Sequence, residues 1–420
     1  MLSFQTFLGL DASTAGTVRE RPVVLSGSDM LRHVYVVGKT GTGKTTFLEN
    51  IVIDAIEAGE GVCFIDPHGD AVRRIIEQVP TWRTREVVLF DPKDADWPIG
   101  FNVIAGVPAG SRARVADGVV SALRHLWGDS WGPRLHDILY NAIYALIEGG
   151  RYSLGSIPQF LNDEDYRNRV LGQVTHPDIR AYWFDEYAQY NERYRIEVTS
   201  STLNKVRRLL VHPAMKNIVS SRTNRLDMRA VLDEGRIILA DLSKGTIGGE
   251  AMNLLGGLLI HHIHHTALAR ADMDEEARRP FLLVVDEFQN FGTDIFKETL
   301  AESRKYGLGL VLAHQYVRQI DSSIRDAVIG NAGSIVSFRV GSDDAEALHG
   351  ELDCNATTLL ELPRYTARAR LLVNDDTANA LTLRTVKRES RPVGNGTNIR
   401  TESRRRYCVS PTSQGHPRAL

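Results

Sequence analysis

Two hydrophobic periods alternate along this chain. The run His33-Val34-Tyr35-Val36-Val37 is apolar at successive positions and β-branched, which predicts a strand buried on both faces. Over 44–58 the period changes. Phe47, Leu48, Ile51, Val52 and Ala55 recur at helical spacing on one face, and Gly59 stops the helix as a C-terminal glycine does. The same pairing recurs downstream. Residues 61–66 predict a second strand, turning through Pro67-His68-Gly69-Asp70 into a helix that runs to about residue 78, and 87–91 predict a third strand. The pattern resumes with a strand over 236–241, a long helix over about 250–271 and a very apolar strand ending at Asp286-Glu287. A helix over about 294–306 leads to a strand over 308–313, and 335–338 and 369–373 are two further candidate strands. Strands alternating with helices predict an α/β fold around a mostly parallel sheet covered on both faces.

Between the two α/β stretches the period is helical throughout. From about 109 to 221 no strand-like run occurs, and Trp127, Trp131 and Trp183 lie inside this stretch with Trp97 just before it. The expected organisation is an N-terminal arm without period (1–22), the first part of an α/β core (23–108), an all-helical insertion (109–225), the second part of the core (226–385), and a basic tail (386–420). The tail is Arg- and Ser-rich with little apolar content, culminating in Arg404-Arg405-Arg406, a composition that predicts disorder.

Composition adds bounds. The 420 residues suffice for two to three domains or one large α/β domain with an insertion. The formal net charge of −2 does not announce a nucleic-acid partner, so any basic surface is local. Cys63, Cys354 and Cys408 are too few and too far apart for a disulfide framework or a metal site, which suits a reducing cytoplasm. The first ten residues are too short and polar for a signal peptide. The most apolar later run, 254–260, is broken by His261, His262, His264 and His265, so no membrane span is expected. His261 and His265 share a helix face, but no carboxylate or cysteine completes a zinc site, and helix surface and packing is the expected role.

The sharpest signal is Gly38-Lys39-Thr40-Gly41-Thr42-Gly43-Lys44-Thr45, which fits the phosphate-loop pattern G-x-x-x-x-G-K-[ST] with a strand before and a helix after. Glycines let the backbone approach oxygen atoms closely, loop N–H groups face the anion, and the helix N-terminus adds its positive end. Lys44 is placed to reach the β- and γ-phosphates and Thr45 to offer a hydroxyl to Mg²⁺. The candidate nucleotide-binding set is therefore Gly38, Lys39, Thr40, Gly41, Thr42, Gly43, Lys44, Thr45 and Thr46, with ATP and Mg²⁺ as ligands.

Asp286-Glu287 sits at the carboxyl end of a central strand, where ligands bind in open parallel sheets. Asp286 is the candidate Mg²⁺ ligand with Thr45, and Glu287 the candidate base that activates water, an effect of about 10²–10⁴-fold. Gln315, two residues past the next strand, could sense the γ-phosphate or position water. Arg304, seventeen residues after Glu287, reads by itself as a solvated partner of a helix C-terminus; the alternative is an arginine finger for a neighbouring subunit, worth about 10³–10⁵ in rate. Asp66 and His68 read equally as turn residues or as groups facing the nucleotide. Arg339 ends a strand and could reach a subunit interface. Lys205, Arg207 and Arg208 could touch phosphates, but a solvated helix face is the expected reading.

Together, Gly38 to Thr45, Asp66-Pro67-His68-Gly69-Asp70, Val284-Val285-Asp286-Glu287, Glu302-Ser303-Arg304-Lys305-Tyr306-Gly307 and Ala313-His314-Gln315 resemble the HerA/FtsK superfamily, and most of all the type IV secretion coupling-protein ATPases. The likeness runs over about 33–373 and implies a RecA-like core in a homo-hexameric ring that binds ATP between subunits and pumps DNA through its channel. It makes Arg304 the trans-acting finger and Gln315 the sensor, both catalytic alongside Glu287. It makes the insertion similar to the all-helical domain of coupling proteins. It implies DNA as partner, with a secretion channel, a relaxase or a nuclease beside it, and a cytoplasmic protein recruited by a partner to the inner face of the membrane. Coupling proteins usually begin with membrane-spanning helices and HerA proteins with a β-barrel; 1–32 matches neither. Conjugative or mobile-element DNA transfer is the expected setting. The alternatives are a motor in a repair or defence complex with a nuclease, and a protein-secretion ATPase.

Overall fold

The computed structural model describes residues 4–14, 20–291, 294–388 and 392–409. Its strands are β1 (Gln5–Asp11), β2 (Pro22–Ser26), β3 (Val34–Val37), β4 (Gly61–Asp66), β5 (Val87–Phe90), β6 (Ile237–Asp241), β7 (Phe281–Val285), β8 (Leu308–His314), β9 (Ser334–Ser337), β10 (Thr366–Arg370), β11 (Leu372–Val373), β12 (Asp376–Thr377) and β13 (Leu381–Arg384). Apart from the small β11–β12 pair, they form one sheet of order β2-β1-β13-β10-β9-β3-β8-β7-β4-β6-β5. From β9 to β5 every neighbouring pair is parallel. From β2 to the β10–β9 pair every neighbour is antiparallel. The fold is α/β with a mostly parallel sheet.

The chain forms two compact units. One draws its described residues from Met1–Phe90, Met228–Leu242 and Thr266–Ser403, and holds the whole sheet. Its strands bury alternate residues on each face. One face presents Val34, Val36, Phe64, Val284, Val311 and Val336 to Phe47, Ile51 and Ile56 of the helix Lys44–Glu57 and to Val72 and Ile75 of the helix Asp70–Ile76. Each such side chain contributes about 1.5–3 kcal/mol by leaving water.

Within the expected arm, Gln5–Asp11 is a strand and Ala12–Thr14 a single 3-10 turn, not irregular chain. In β1 the alternate residues Phe4 (just before it), Thr6 and Leu8 are buried, and the Phe7 N–H donates to Asp54 Oδ2 at 2.9 Å, tying the strand to the helix behind the phosphate loop. The threonine in the buried set and the break in register between Phe7 and Gly9 hide the period. The expectation of a disordered tail is also corrected, for 396–407. That stretch is a helix, Gly396–Tyr407. Ile399 enters the core, and Ser403 Oγ accepts the Leu89 N–H at 2.9 Å on the edge strand β5. A narrow buried stripe suffices, so the remaining charged residues lower the composition without preventing docking. The rest of the tail, 389–391 and 410–420, lies outside the described residues.

The second unit draws its described residues from Asp91–Asp227, Ser243–His265 and the stretch beginning at Arg404, and thus takes in 243–265 beyond the contiguous stretch that helical period marks out. Its helices include Arg112–Trp127, Pro133–Gly149, Glu164–Leu171 and Glu192–Val211. Trp183 packs edge-on to Phe160, ring centres 4.9 Å apart, and 4.7 Å from Tyr187. Of the four histidines, His261 and His264 are buried and His262 and His265 half-buried, a packing role more than a surface one. Burial drives all four imidazoles down, His261 and His264 to about 3 and His262 and His265 to about 4, so they are neutral. Gly118 makes room for two of them: a Cβ there would lie 2.8 Å from His265 Nε2 and 3.1 Å from His261 Nδ1. Among the described residues no group of three His, Cys, Asp or Glu side chains is placed to hold a metal, and no helix is long and apolar enough to cross a membrane.

Candidate active site

The central parallel strands place the site. β3 runs into the phosphate loop, β7 into Asp286-Glu287 and β8 into Gln315, and because the three are parallel neighbours their ends meet at one edge. The loop leaves β3 and re-enters as the helix Lys44–Glu57. Gly41 and Gly43 have φ of 75° and 125°, conformations that glycine takes without a Cβ penalty. Lys44 is buried and curls back into the loop, its Nζ donating to the Gly38 carbonyl and, at 3.4 Å, to that of Lys39. The Lys39 N–H donates to the Arg339 carbonyl at 2.9 Å, so Arg339 serves the loop through its backbone while its side chain is exposed.

The acid pair is held with care. Asp286 is 3% exposed, and burial, reinforced by the Glu287 carboxylate beside it, raises its pKa to about 7 against the pull of Lys44. Burial lowers the Lys44 ammonium, and Asp286 and Glu287 oppose that shift. Thr45 Oγ1 lies 3.5 Å from Asp286 Oδ2, close enough for both oxygens to hold one small cation if it were bound. A hydroxyl and a carboxylate are also the oxygen donors Mg²⁺ takes, so the residues fit it.

Glu287 adopts φ 48°, ψ 48°, a left-handed conformation costing a non-glycine residue about 1–3 kcal/mol. Two amides hold its carboxylate: Gln315 Nε2 donates to Oε1 and Gln289 Nε2 to Oε2, each at 2.8 Å. Gln315 in turn accepts from Thr40 Oγ1 at 3.0 Å. A continuous hydrogen-bonded path therefore joins the phosphate loop, the glutamine and the glutamate. Behind it, Tyr35 Oη and His314 Nε2 are 2.6 Å apart, and burial drops His314 to about 3, which keeps that ring neutral.

The remaining candidates are placed as follows. Asp66 accepts the N–H groups of His68, Ala71 and Val72 at 2.8, 2.9 and 3.2 Å; it orders the turn into the helix Asp70–Ile76, as turn chemistry requires. His68 lines the cleft with Lys44, Asp286 and Glu287. Arg304 stands apart. It lies in the turn Ser303–Tyr306 that enters β8, whereas the phosphate loop and Gln315 lie past the other end of that strand, about 20 Å away at 3.3 Å per residue. Lys205, Arg207 and Arg208 lie in the helix Glu192–Val211, where Arg208 pairs with Glu250 at 2.5 Å. Sequence reasoning missed Gln289, two residues past the acid pair, and Arg364 and Tyr365, which line the same cleft. No motif marks these three.

Comparison with known proteins extends the picture. No curated protein matches the chain in sequence. Among solved structures it is similar to the plasmid coupling protein TrwB in complex with ADP and Mg²⁺, with a TM-score of 0.66 at 15% identity, covering 93% of this chain and 96% of that one. It is equally similar to TrwB in complex with a non-hydrolysable GTP analogue, at 0.66 and 16% over the same shares. VirB4 of Thermoanaerobacter pseudethanolicus follows at 0.61 and 12%, covering 91% and 96%. These likenesses establish the RecA-like P-loop fold of the sheet unit. The family described as type IV secretory system conjugative DNA transfer matches residues 10–352, and with most of its length so matched the chain belongs to that family.

Proposed function

We propose that this protein hydrolyses ATP with Mg²⁺ and, as a ring of six copies, uses the turnover to pump DNA in conjugative transfer. The observation that carries the reading is the meeting of Lys44, Thr45, Asp286, Glu287 and Gln315 at one edge of the sheet, with the path from Thr40 through Gln315 to Glu287. Loop amides and Lys44 bind the phosphates. Thr45 and Asp286 hold Mg²⁺, which when bound offsets phosphate charge. Glu287 takes the proton of the attacking water. Gln315 touches both loop and base, so a γ-phosphate that alters its bond to Thr40 also changes the restraint on Glu287. Arg304 cannot reach its own protomer's nucleotide from the far edge of the sheet, and would complete a neighbour's site. The relatives' complexes with ADP and Mg²⁺ and with a GTP analogue are consistent with this ligand. Membership of the conjugative-transfer family favours DNA over a protein substrate. A secretion channel and a relaxase are the partners this role implies, at the cytoplasmic face of the membrane.

The test is the mass in solution with ATP and DNA, read beside the hydrolysis rate. DNA should stimulate turnover and promote a six-fold assembly; stimulation only by a secreted protein would sink the DNA reading. Lys44→Ala and Arg304→Ala should each abolish most turnover, and mixing the two should restore part of it. A mixture as inactive as its components refutes the shared site.

A further inference from the structure

The roles above account for the phosphate end of the cleft and leave its other flank unexplained. β3, which carries the phosphate loop, has β8 and β7 on one side and β9 and β10 on the other. The groups suited to the terminal phosphate, Asp286, Glu287 and Gln315, all follow β7 or β8. A nucleotide seated on the loop must then extend its base toward β9 and β10. β10 runs antiparallel to β9, so its first residue, not its last, lies at the edge where the loop sits. Arg364 and Tyr365 immediately precede it.

These two side chains form a built surface. The Arg364 guanidinium lies over the Tyr365 ring, 4.9 Å from its centre. Arg364 Nε donates to the Gly41 carbonyl at 3.0 Å, and the Tyr365 N–H donates to that of Thr42 at 2.8 Å. Both residues are therefore pinned to the phosphate loop. The Tyr365 carbonyl is fixed from behind by the N–H and hydroxyl of Thr385, at 2.7 and 2.9 Å. Tyr365 has φ 63°, left-handed for a bulky residue and hence a local outlier. Its ring is not buried in exchange: Tyr365 is 38% exposed, and both residues line the phosphate-loop cleft. Gly43 makes room for the ring, since a Cβ there would sit 3.0 Å from Tyr365 Cδ1. A strained, solvent-facing aromatic stacked on an arginine and fastened to the loop serves no core.

We infer that Arg364 and Tyr365 form the nucleobase platform of this site, stacking a purine whose phosphates occupy the Gly38–Thr45 loop. This rests on the nucleotide reading of the cleft and adds to it the seat of the base. Stacking on an aromatic face tolerates any base, so the platform binds ATP and GTP by the same contact.

The experiment compares Mg²⁺-dependent binding of ATP, GTP and inorganic tripolyphosphate, which has no base, to the full chain and to Tyr365→Ala, Tyr365→Leu and Tyr365→Phe. Removing the ring should weaken ATP and GTP about 5- to 150-fold, the span of measured base–aromatic stacking. Tripolyphosphate should bind all forms alike, which also reports an intact loop. Tyr365→Phe, which keeps the ring, should recover most of the loss. ATP binding equally tight in Tyr365→Ala and parent overturns the platform and leaves the nucleotide site standing. Equal loss for ATP and tripolyphosphate also overturns it, by assigning Tyr365 to the shape of the loop. A parent chain that binds none of the three overturns the nucleotide reading itself.

Discussion

Asp286 offers a quantitative handle on the site before any nucleotide binds. Its carboxyl is buried beside a second carboxylate, and its pKa is raised to about 7 from an ordinary value of 3.8. A raised carboxyl pKa means that the folded state holds the proton more tightly than the unfolded state does. Stability associated with this group is therefore full below pH 4 or so and is lost as the pH rises toward 7. With 1.36 kcal/mol per pKa unit, the total loss well above pH 7 is about 4 kcal/mol, and about 2 kcal/mol of it falls between pH 5 and pH 7.

Asp286→Asn keeps the shape and an oxygen to accept the Glu287 N–H, now 3.0 Å from Asp286 Oδ1, but cannot ionise. Urea unfolding without nucleotide or Mg²⁺, followed at pH 5, 6, 7 and 8, should show the parent losing stability relative to the variant by that amount, with the gap levelling above pH 7. The variant should be the more stable protein at pH 8 and should no longer gain stability from Mg²⁺–ATP. Parallel pH profiles for the two proteins would refute the argument that Asp286 is held partly protonated by burial.

Two further perturbations test separate parts of the account. Glu287→Gln should still bind ATP and should lower turnover by about 10²–10⁴-fold, the range for losing a general base; hydrolysis at the parent rate would remove Glu287 from that role. Ile399→Ala, in the C-terminal helix, should cost about 2–5 kcal/mol in urea unfolding, and an unchanged midpoint would mean that this helix is not docked on the core.

What could be read from the sequence was local and dense in signal. The phosphate loop, the acid pair and the apolar strands feeding them occupy consecutive residues, so spacing alone reveals them. The antiparallel flank was opaque because its pairing is remote. β1 pairs in the sheet with β13, which follows it by more than three hundred and fifty residues in sequence (Leu10 opposite Arg384), and its buried set mixes Phe4 and Leu8 with Thr6. The C-terminal helix was hidden because a single buried stripe through Ile399 and Ser403 is outvoted by the arginines around it. Arg364 and Tyr365 could not be found at all without the antiparallel turn of β10, which alone carries them to the phosphate loop. Gln289 needed the left-handed turn at Glu287 to bring its amide back to the carboxylate.

The position of Arg304 constrains how copies of the chain could meet. A side chain at the entering end of β8 and a phosphate loop at the leaving end of β3 face opposite edges of the same sheet, and no rotamer spans a strand's length. If the arginine acts on a nucleotide, that nucleotide belongs to another copy whose leaving edge meets this one's entering edge. Such a contact joins unlike surfaces, so it would repeat head to tail, giving a ring where the rotation closes, and could not make a two-fold dimer. Asp375 marks how the arginine is kept meanwhile. Its carboxylate bonds Arg32 and lies 4.0 Å from Arg304 Nη2, at a site where Arg304 is half exposed. An exposed, shared ion pair of this kind is weak, so under the proposed role the release of Arg304 toward a neighbour's phosphate would cost little. Asp375→Ala should accordingly leave turnover of the assembled ring intact, whereas Arg304→Ala should not.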